Sequence, residues 1–312
     1  MTSARLQDVN RLALPELYRA LAAGGLVRRL LELARDEDLA DAGDVTSEAT
    51  IAVGTRGRAV LRARQAGVLA GLEAIPDILS VFDPAVTFVP AAEDGAPIAP
   101  GQTLGEFAGP LRSILAIERT ALNLVSRLSG IATRTAEFVR AAGRPVVYDT
   151  RKTTPGLRML EKYAVRCGGG LSHRLGLHDA MLIKDNHVAA CGSPEDFARL
   201  VAQASARARA RHALAFVEAE VDALEQFQAL LALPIGTVDL ALLDNMGPER
   251  LREAVRLRDA RRPEIGLEAS GGVSLATIGE IAATGVDRIS VGALTHGAVS
   301  LDLGLDIDPL NS

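Results

Sequence analysis

A TIM-like but incomplete parallel α/β barrel, preceded by an N-terminal α+β domain, is the architecture that this sequence predicts, and three observations predict it. Six short apolar runs, PVVYDT from Pro145, AMLIKD, LAFVEAEV, TVDLALLD, EIGLEAS and DRISVGALT, alternate with helical patterns through the second half of the chain. Strand and helix in alternation mean βαβ units, right-handed crossovers and a parallel sheet. Each run also ends on a polar group, as barrel strands do when their C-terminal ends share one mouth. The first part of the chain lacks this rhythm, so the division is placed at 1–118 for the α+β domain and 119–312 for the barrel, with a C-terminal tail that can pack back on the first domain.

In chain order, Leu14 to Ala34 has the apolar periodicity of one amphipathic helix, and Arg58 to Gln65 alternates like a strand. Asp94 to Gly109 is rich in Gly and Pro and reads as turns, and Leu111 to Ala142 is a single long helical pattern leading into the first barrel strand. Gly168-Gly169-Gly170 stops a helix that begins near Leu157. Ser193-Pro194-Glu195-Asp196 supplies an N-cap, a first-turn proline and two first-turn acids for the next. Further helices are expected near Leu275 and after Val291-Gly292-Ala293.

Composition narrows the function. The 312 residues are 48% hydrophobic, enough for a sizeable core. No apolar run reaches the roughly 18 to 20 residues that cross a bilayer, and no secretory signal opens the chain, so a cytoplasmic location is expected and a membrane partner is not. Tryptophan is absent and aromatics are 3%, which removes the stacking platforms of nucleic-acid binders. Cys167 and Cys191 have no metal-type spacing and read as reduced and structural.

Charge is the sharper signal. Of 34 Lys and Arg only three are Lys, and Lys152, Lys162 and Lys184 all fall within one 33-residue window. From Thr150 to His187 seven Lys/Arg face three Asp/Glu, a local +4 in a chain of net charge −5. A cationic island on an acidic body suits a small polyanion. The strand-end groups then separate by chemistry. Arg151, Lys152, His173, Arg174 and Lys184, beside Thr150, suit carboxylates or phosphates. Glu220 and Asp244 end otherwise apolar strands, as ligands of a hard cation such as Mg²⁺ would, or alternatively as N-caps of the helices that follow. Ser270-Gly271-Gly272 and Gly292-Ala293 are paired glycine turns after the last two strands, where barrels often seat a phosphate.

At this point the residues resemble a known family, the quinolinate phosphoribosyltransferases of the type II fold, also called carboxylating nicotinate-nucleotide pyrophosphorylases. The likeness rests on DTRKTTPGLR from Asp149, EKYAVRCGGG from Glu161, SHRLGLHDAMLIKDNH from Ser172, VEAEVDALEQ from Val217, LLDNM from Leu242, LEASGGV from Leu267 and GVDRISVGALTH from Gly285. ERTALNLVSRLSGIAT from Glu118 and GDVTS from Gly43 resemble it too. The resemblance implies transfer of phosphoribose from phosphoribosyl pyrophosphate to quinolinate, with loss of pyrophosphate and CO₂. It implies that Arg151, Lys152, His173, Arg174 and Lys184 bind the quinolinate carboxylates, and that Arg119 reaches the site from the partner subunit of a homodimer. Glu220 and Asp244 would hold the Mg²⁺-bound pyrophosphate and ribose, Ser270, Gly271, Gly272, Gly292 and Ala293 the 5′-phosphate, with Lys152, Lys184, Glu220 and Asp244 as the catalytic set. Ser172 and Ala219 depart from the commonest motifs, at positions that are not themselves ligands. Lys162 is read as a helix-surface lysine. Two rival readings remain: a paralogue with another acceptor, such as the related proteins associated with molybdate transport, and a catalytically silent barrel that binds a phosphorylated metabolite.

Overall fold

The computed structural model describes residues 9–144 and 146–309, with side chains to 307; Pro145 of the PVVYDT run and the last three residues lie outside the described residues. The N-terminal unit begins with two helices, Leu14–Ala22 and Leu26–Leu39, rather than the single helix expected from Leu14 to Ala34. The break falls at Gly24-Gly25, where Gly25 takes φ 76°, a left-handed conformation that ends the first apolar face and re-aims the second.

Four antiparallel strands form the sheet of this unit. β1 (Arg56–Ala63), β3 (Thr87–Pro90), β5 (Thr103–Pro110) and β12 (Leu303–Pro309) lie in the order β12-β1-β5-β3, while β2 (Gly67–Val68) pairs with β4 (Pro97–Ile98). The expected turns between Asp94 and Gly109 are therefore corrected in part to strand. Leu104 and Phe107 are buried there, and a Cβ at Gly105 would lie 2.2 Å from the Phe88 ring, so this glycine serves packing rather than a turn. The C-terminal strand β12 returns to cover the edge of β1, with Val60 opposite Asp306 and Arg62 opposite Gly304.

Helix Leu111–Ala142 links the two units and ends at Gly143 with φ 69°. Along its length Ser129 Oγ accepts from the Ala70 amide at 3.0 Å, and Arg127 donates to Glu161 at 2.9 Å and to the Ala298 carbonyl at 2.7 Å. The helix thus packs against both units and belongs wholly to neither.

The second unit is an open barrel. β6 (Val147–Tyr148), β7 (Met181–Ile183), β8 (Val217–Val221), β9 (Leu240–Asp244), β10 (Gly266–Ser270) and β11 (Arg288–Ser290) are all parallel, in the order β6-β11-β10-β9-β8-β7. Leu171 adds a parallel bridge to Tyr148, but among the described residues β6 and β7 do not pair, so the sheet is an incomplete barrel. Its strands are near-continuous apolar runs because helices cover them, with Val217, Ala219, Ala241, Leu243, Leu267 and Ile289 fully buried. Helix Arg158–Cys167 stops at the triple glycine as expected, and Ser193 Oγ caps helix Pro194–Arg209 by accepting from the Asp196 amide at 3.1 Å. The helix expected near Leu275 instead starts at Ile278 and runs only to Ala282, because Ser274 and Thr277 first close a turn through hydrogen bonds between them. After β11 the expected helix is a single 3₁₀ turn, Gly292–Leu294.

Candidate active site

Parallel strands end on the same side, and here the six C-terminal ends surround one cavity of about 780 Å³. Thr150, Arg151, Lys152, His173, Arg174, Lys184, Glu220, Asp244, Ser270, Gly271, Gly272, Gly292 and Ala293 all line it. Arg119 does not. It sits on helix Leu111–Ala142 with its side chain 64% exposed, 3.9 Å from Glu118 and outside the cavity.

The cations arrive from three directions. Arg151 and Lys152 follow β6, where the Lys152 carbonyl accepts from Thr295 Oγ1 at 2.6 Å and its amide donates to Thr150 Oγ1 at 3.0 Å. His173 and Arg174 follow the Leu171 bridge, and the Arg174 guanidinium donates to the Ala180 carbonyl at 3.3 Å. Lys184 ends β7 and pairs its Nζ with Glu220 Oε2. Arg151 Nε is buried without a partner among the described residues, and burial together with repulsion from Arg151 lowers the pKa of Arg174. A crowded cationic wall with an unfilled donor favours an anion.

Opposite stand the carboxylates. Glu220 and Asp244 do not cap helices: those positions belong to Ala223 and Gly247. Both point from neighbouring strand ends, and burial followed by the charge of Glu220 raises the pKa of Asp244. Asn245 Nδ2 donates to Asp244 Oδ2 at 2.6 Å. A largely buried Glu220 and a partly buried Asp244 that repel each other fit a hard divalent cation, which would relieve that repulsion with oxygen ligands.

The glycine turns are packed close. Gly271 has φ 91°, and a Cβ there would fall 2.1 Å from Asn245 Oδ1, so the two neighbouring strand ends interlock only with glycine. At Gly292 a Cβ would meet Lys152 Cδ at 2.8 Å. These turns therefore set where Asn245 and Lys152 stand as well as exposing backbone amides.

Sequence reasoning passed over several residues that the structure brings here. Asp149, Leu182, Leu242, Glu268 and His296 also line the cavity. Glu268 had a signal, a charge in the middle of an apolar strand. Lys162 requires correction: it is fully buried, not on a helix surface, and its Nζ lies 2.5 Å from Asp149 Oδ1. Burial lowers its pKa and Asp149 works against that shift. Asp149 Oδ1 also accepts from the His173 amide at 2.8 Å, so the Lys162–Asp149 pair underpins the cationic wall.

An open parallel barrel whose mouth sets a cationic wall against paired carboxylates and glycine turns is built for a phosphorylated, polyanionic substrate. Comparison with known proteins narrows that class. Residues 44–129 match the N-terminal domain model of quinolinate phosphoribosyl transferase and residues 131–306 match its C-terminal domain model. The nicotinate-nucleotide pyrophosphorylase (carboxylating) of Mycobacterium leprae is 44% identical over 92% of this chain and 97% of its own length. A quinolinate phosphoribosyltransferase (decarboxylating) of Nicotiana glauca is 36% identical over 90% of this chain and 82% of its own. The crystal structure of NadC from Streptococcus pyogenes superposes with a TM-score of 0.82 at 39% identity, covering 91% of this chain and 96% of that one. The chain belongs to the quinolinate phosphoribosyltransferase family. Among the described residues no helix is long and apolar enough to cross a membrane.

Proposed function

We infer that this cavity performs the reaction of its family, transfer of phosphoribose from phosphoribosyl pyrophosphate to quinolinate with decarboxylation, giving nicotinate mononucleotide for de novo NAD synthesis. The observation that carries the residue roles is the convergence, on one cavity, of the cationic wall, the carboxylate pair and the two glycine turns. Arg151, Arg174, His173 and Lys152 take the two quinolinate carboxylates. Ser270 to Gly272 and Gly292 to Ala293 seat the 5′-phosphate, while Glu220 and Asp244 face the ribose and pyrophosphate. Mg²⁺, held by Glu220 and Asp244, would neutralise the charge of the departing pyrophosphate.

The chemistry needs no covalent nucleophile. As pyrophosphate leaves, positive charge grows at the anomeric carbon, and the arginine clamp holds the pyridine nitrogen in line with it. Once that nitrogen is alkylated, its charge stabilises the carbanion left when the adjacent carboxylate departs as CO₂. A proton must then reach this carbon, and Lys152 and Lys184 are the ammonium groups on the cavity wall. Arg119 of a second copy completes the site in a homodimer; its exposure outside its own cavity supports this part of the reading. A cytoplasmic setting belongs to the same proposal, supported by two cysteines that are both free.

The test is a mass-resolved assay with quinolinate, phosphoribosyl pyrophosphate and Mg²⁺, and nicotinate as a parallel acceptor. Nicotinate mononucleotide with equimolar CO₂ from quinolinate alone is expected. Product from nicotinate would overturn the acceptor assignment, and no product from either would leave a binding protein.

A further inference from the structure

At the floor of the cavity lies a group of buried charges whose carboxylates the proposed reaction does not use. Glu218 near the start of β8 and Glu268 in the middle of β10 are both fully buried. Side chains alternate along a strand, so Glu218 shares the inward face of β8 with Glu220, and Glu268 that of β10 with Ser270, each one layer deeper than the mouth. His173 reaches down between them. Its Nε2 is 2.9 Å from Glu218 Oε2 and 3.3 Å from Glu268 Oε2, and the Phe216 ring meets it edge-on at 5.2 Å.

Neither oxygen of Glu268 accepts a well-aligned hydrogen bond among the described residues, and Glu218 Oε1 has none either. A buried carboxylate with so few hydrogen bonds is costly, and beyond a contact of Glu268 with Ser290 its compensation here is charge. Arg288, beside Glu268 in the β10–β11 register and stacked 4.8 Å from the Tyr148 ring, supplies part of it. His173 supplies the rest.

The geometry decides what His173 offers the substrate. Nε2 must carry a proton, since a lone pair aimed at two carboxylate oxygens would be repelled. Nδ1 has no hydrogen-bond partner among the described residues and is left for the cavity. In a neutral ring Nδ1 would present a lone pair and repel a substrate carboxylate; with a second proton it becomes a donor.

We propose that Glu268 is a positioning residue that keeps His173 doubly protonated, so that Nδ1 meets a quinolinate carboxylate as an obligatory donor. The proposal rests on the reading that this cavity takes a diacid. Burial alone would push the His173 ring toward neutrality, but Glu268 and Glu218 outweigh it and raise its pKa to about 10. Burial presses the Glu268 carboxyl upward, but the His173 charge wins and holds it down. Arg151 and Arg174 on the cavity side and Arg288 from β11 oppose the second proton, while Asp149, on the backbone side of His173, is already paired with Lys162. The carboxylates make the short contacts and prevail.

The experiment is ¹⁵N-histidine NMR of the full chain from pH 6 to 9, with the His173 signals assigned by His173→Gln, alongside KM measurements for both substrates. In the wild type both His173 nitrogens stay protonated throughout, and the quinolinate KM is flat. In Glu268→Gln the ring loses its second proton within this range, and the quinolinate KM rises about tenfold for each pH unit above the new midpoint. The phosphoribosyl pyrophosphate KM stays flat, and Glu268→Asp restores the wild-type profile. A neutral His173 ring in the wild type at pH 7, or equal changes in both KM values, overturns the proposal. So does Zn²⁺ binding that shifts the His173 nitrogens, because the same three ligand atoms lie within 4.8 Å of one another and would then be a metal site. The wild-type titration needs no turnover, so it separates this proposal's failure from failure of the reaction assigned above.

Discussion

The antiparallel sheet and the barrel interior both carry ion pairs, under opposite conditions. On the sheet, Arg62–Asp306 and Arg58–Glu106 span 3.0 and 3.1 Å with every side chain between 39% and 56% exposed. In the barrel, Lys162–Asp149 and His173–Glu218 span 2.5 and 2.9 Å with side chains 7% exposed or less. Water screens the first set and leaves each pair worth about 0–1 kcal/mol. The second set has given up its hydration, a penalty of several kcal/mol per ion that attraction only partly offsets. A barrel selected for stability alone would carry Leu or Ile at these positions. The contrast teaches that charge buried one layer below the mouth is there to shape the wall above it.

Removing one member of a buried pair should produce the largest effect. Lys162→Met leaves Asp149 buried and unpaired and is expected to cost about 3–5 kcal/mol of stability. Urea denaturation checks this, and a loss as small as those on the sheet would erase the contrast.

Next in size is the wall itself. Arg174→Ala should raise the quinolinate KM by roughly 10- to 150-fold, corresponding to about 1.5–3 kcal/mol for a charged hydrogen-bonded contact, with a much smaller change for phosphoribosyl pyrophosphate. Mixed with inactive Arg119→Ala protein, it should recover up to about a quarter of wild-type activity if the site is shared in a homodimer as proposed, because half of the randomly paired dimers would regain one intact site. No recovery after verified subunit exchange would remove Arg119 from the shared site.

The smallest effect is expected on the sheet. Asp306→Ala removes the bridges to Arg62 and Arg64 yet should cost less than about 1 kcal/mol by the same denaturation measurement. A larger loss would mean that strand β12 holds the two units together through charge rather than through its backbone ladder with β1.

Much of the barrel was legible because its signals are local. An apolar run ending on a polar group is a strand entering the mouth, and the strand-end residues from Thr150 to Ala293 line the cavity. The capping serine at 193 and the glycine stop at 168 were equally readable. What misled was composition without packing. The Gly and Pro content between Asp94 and Gly109 suggested turns, whereas Gly105 lies in a strand to make room for Phe88. Lys162, four residues into a helix of high charge, suggested a solvated face, and only its burial against Asp149 shows otherwise.

By itself the sequence determined the strand-and-helix alternation, the cationic island and the glycine turns, because periodicity, charge and backbone freedom are properties of short stretches. Tertiary structure alone decided depth. Glu218 and Glu268 lie two residues before Glu220 and Ser270 on strands separated by β9, and the chain after Leu171 brings His173 down between them. Residues far apart in sequence become one group of coupled charges there, since both their separation and their loss of water depend on how the sheet curves and closes around them.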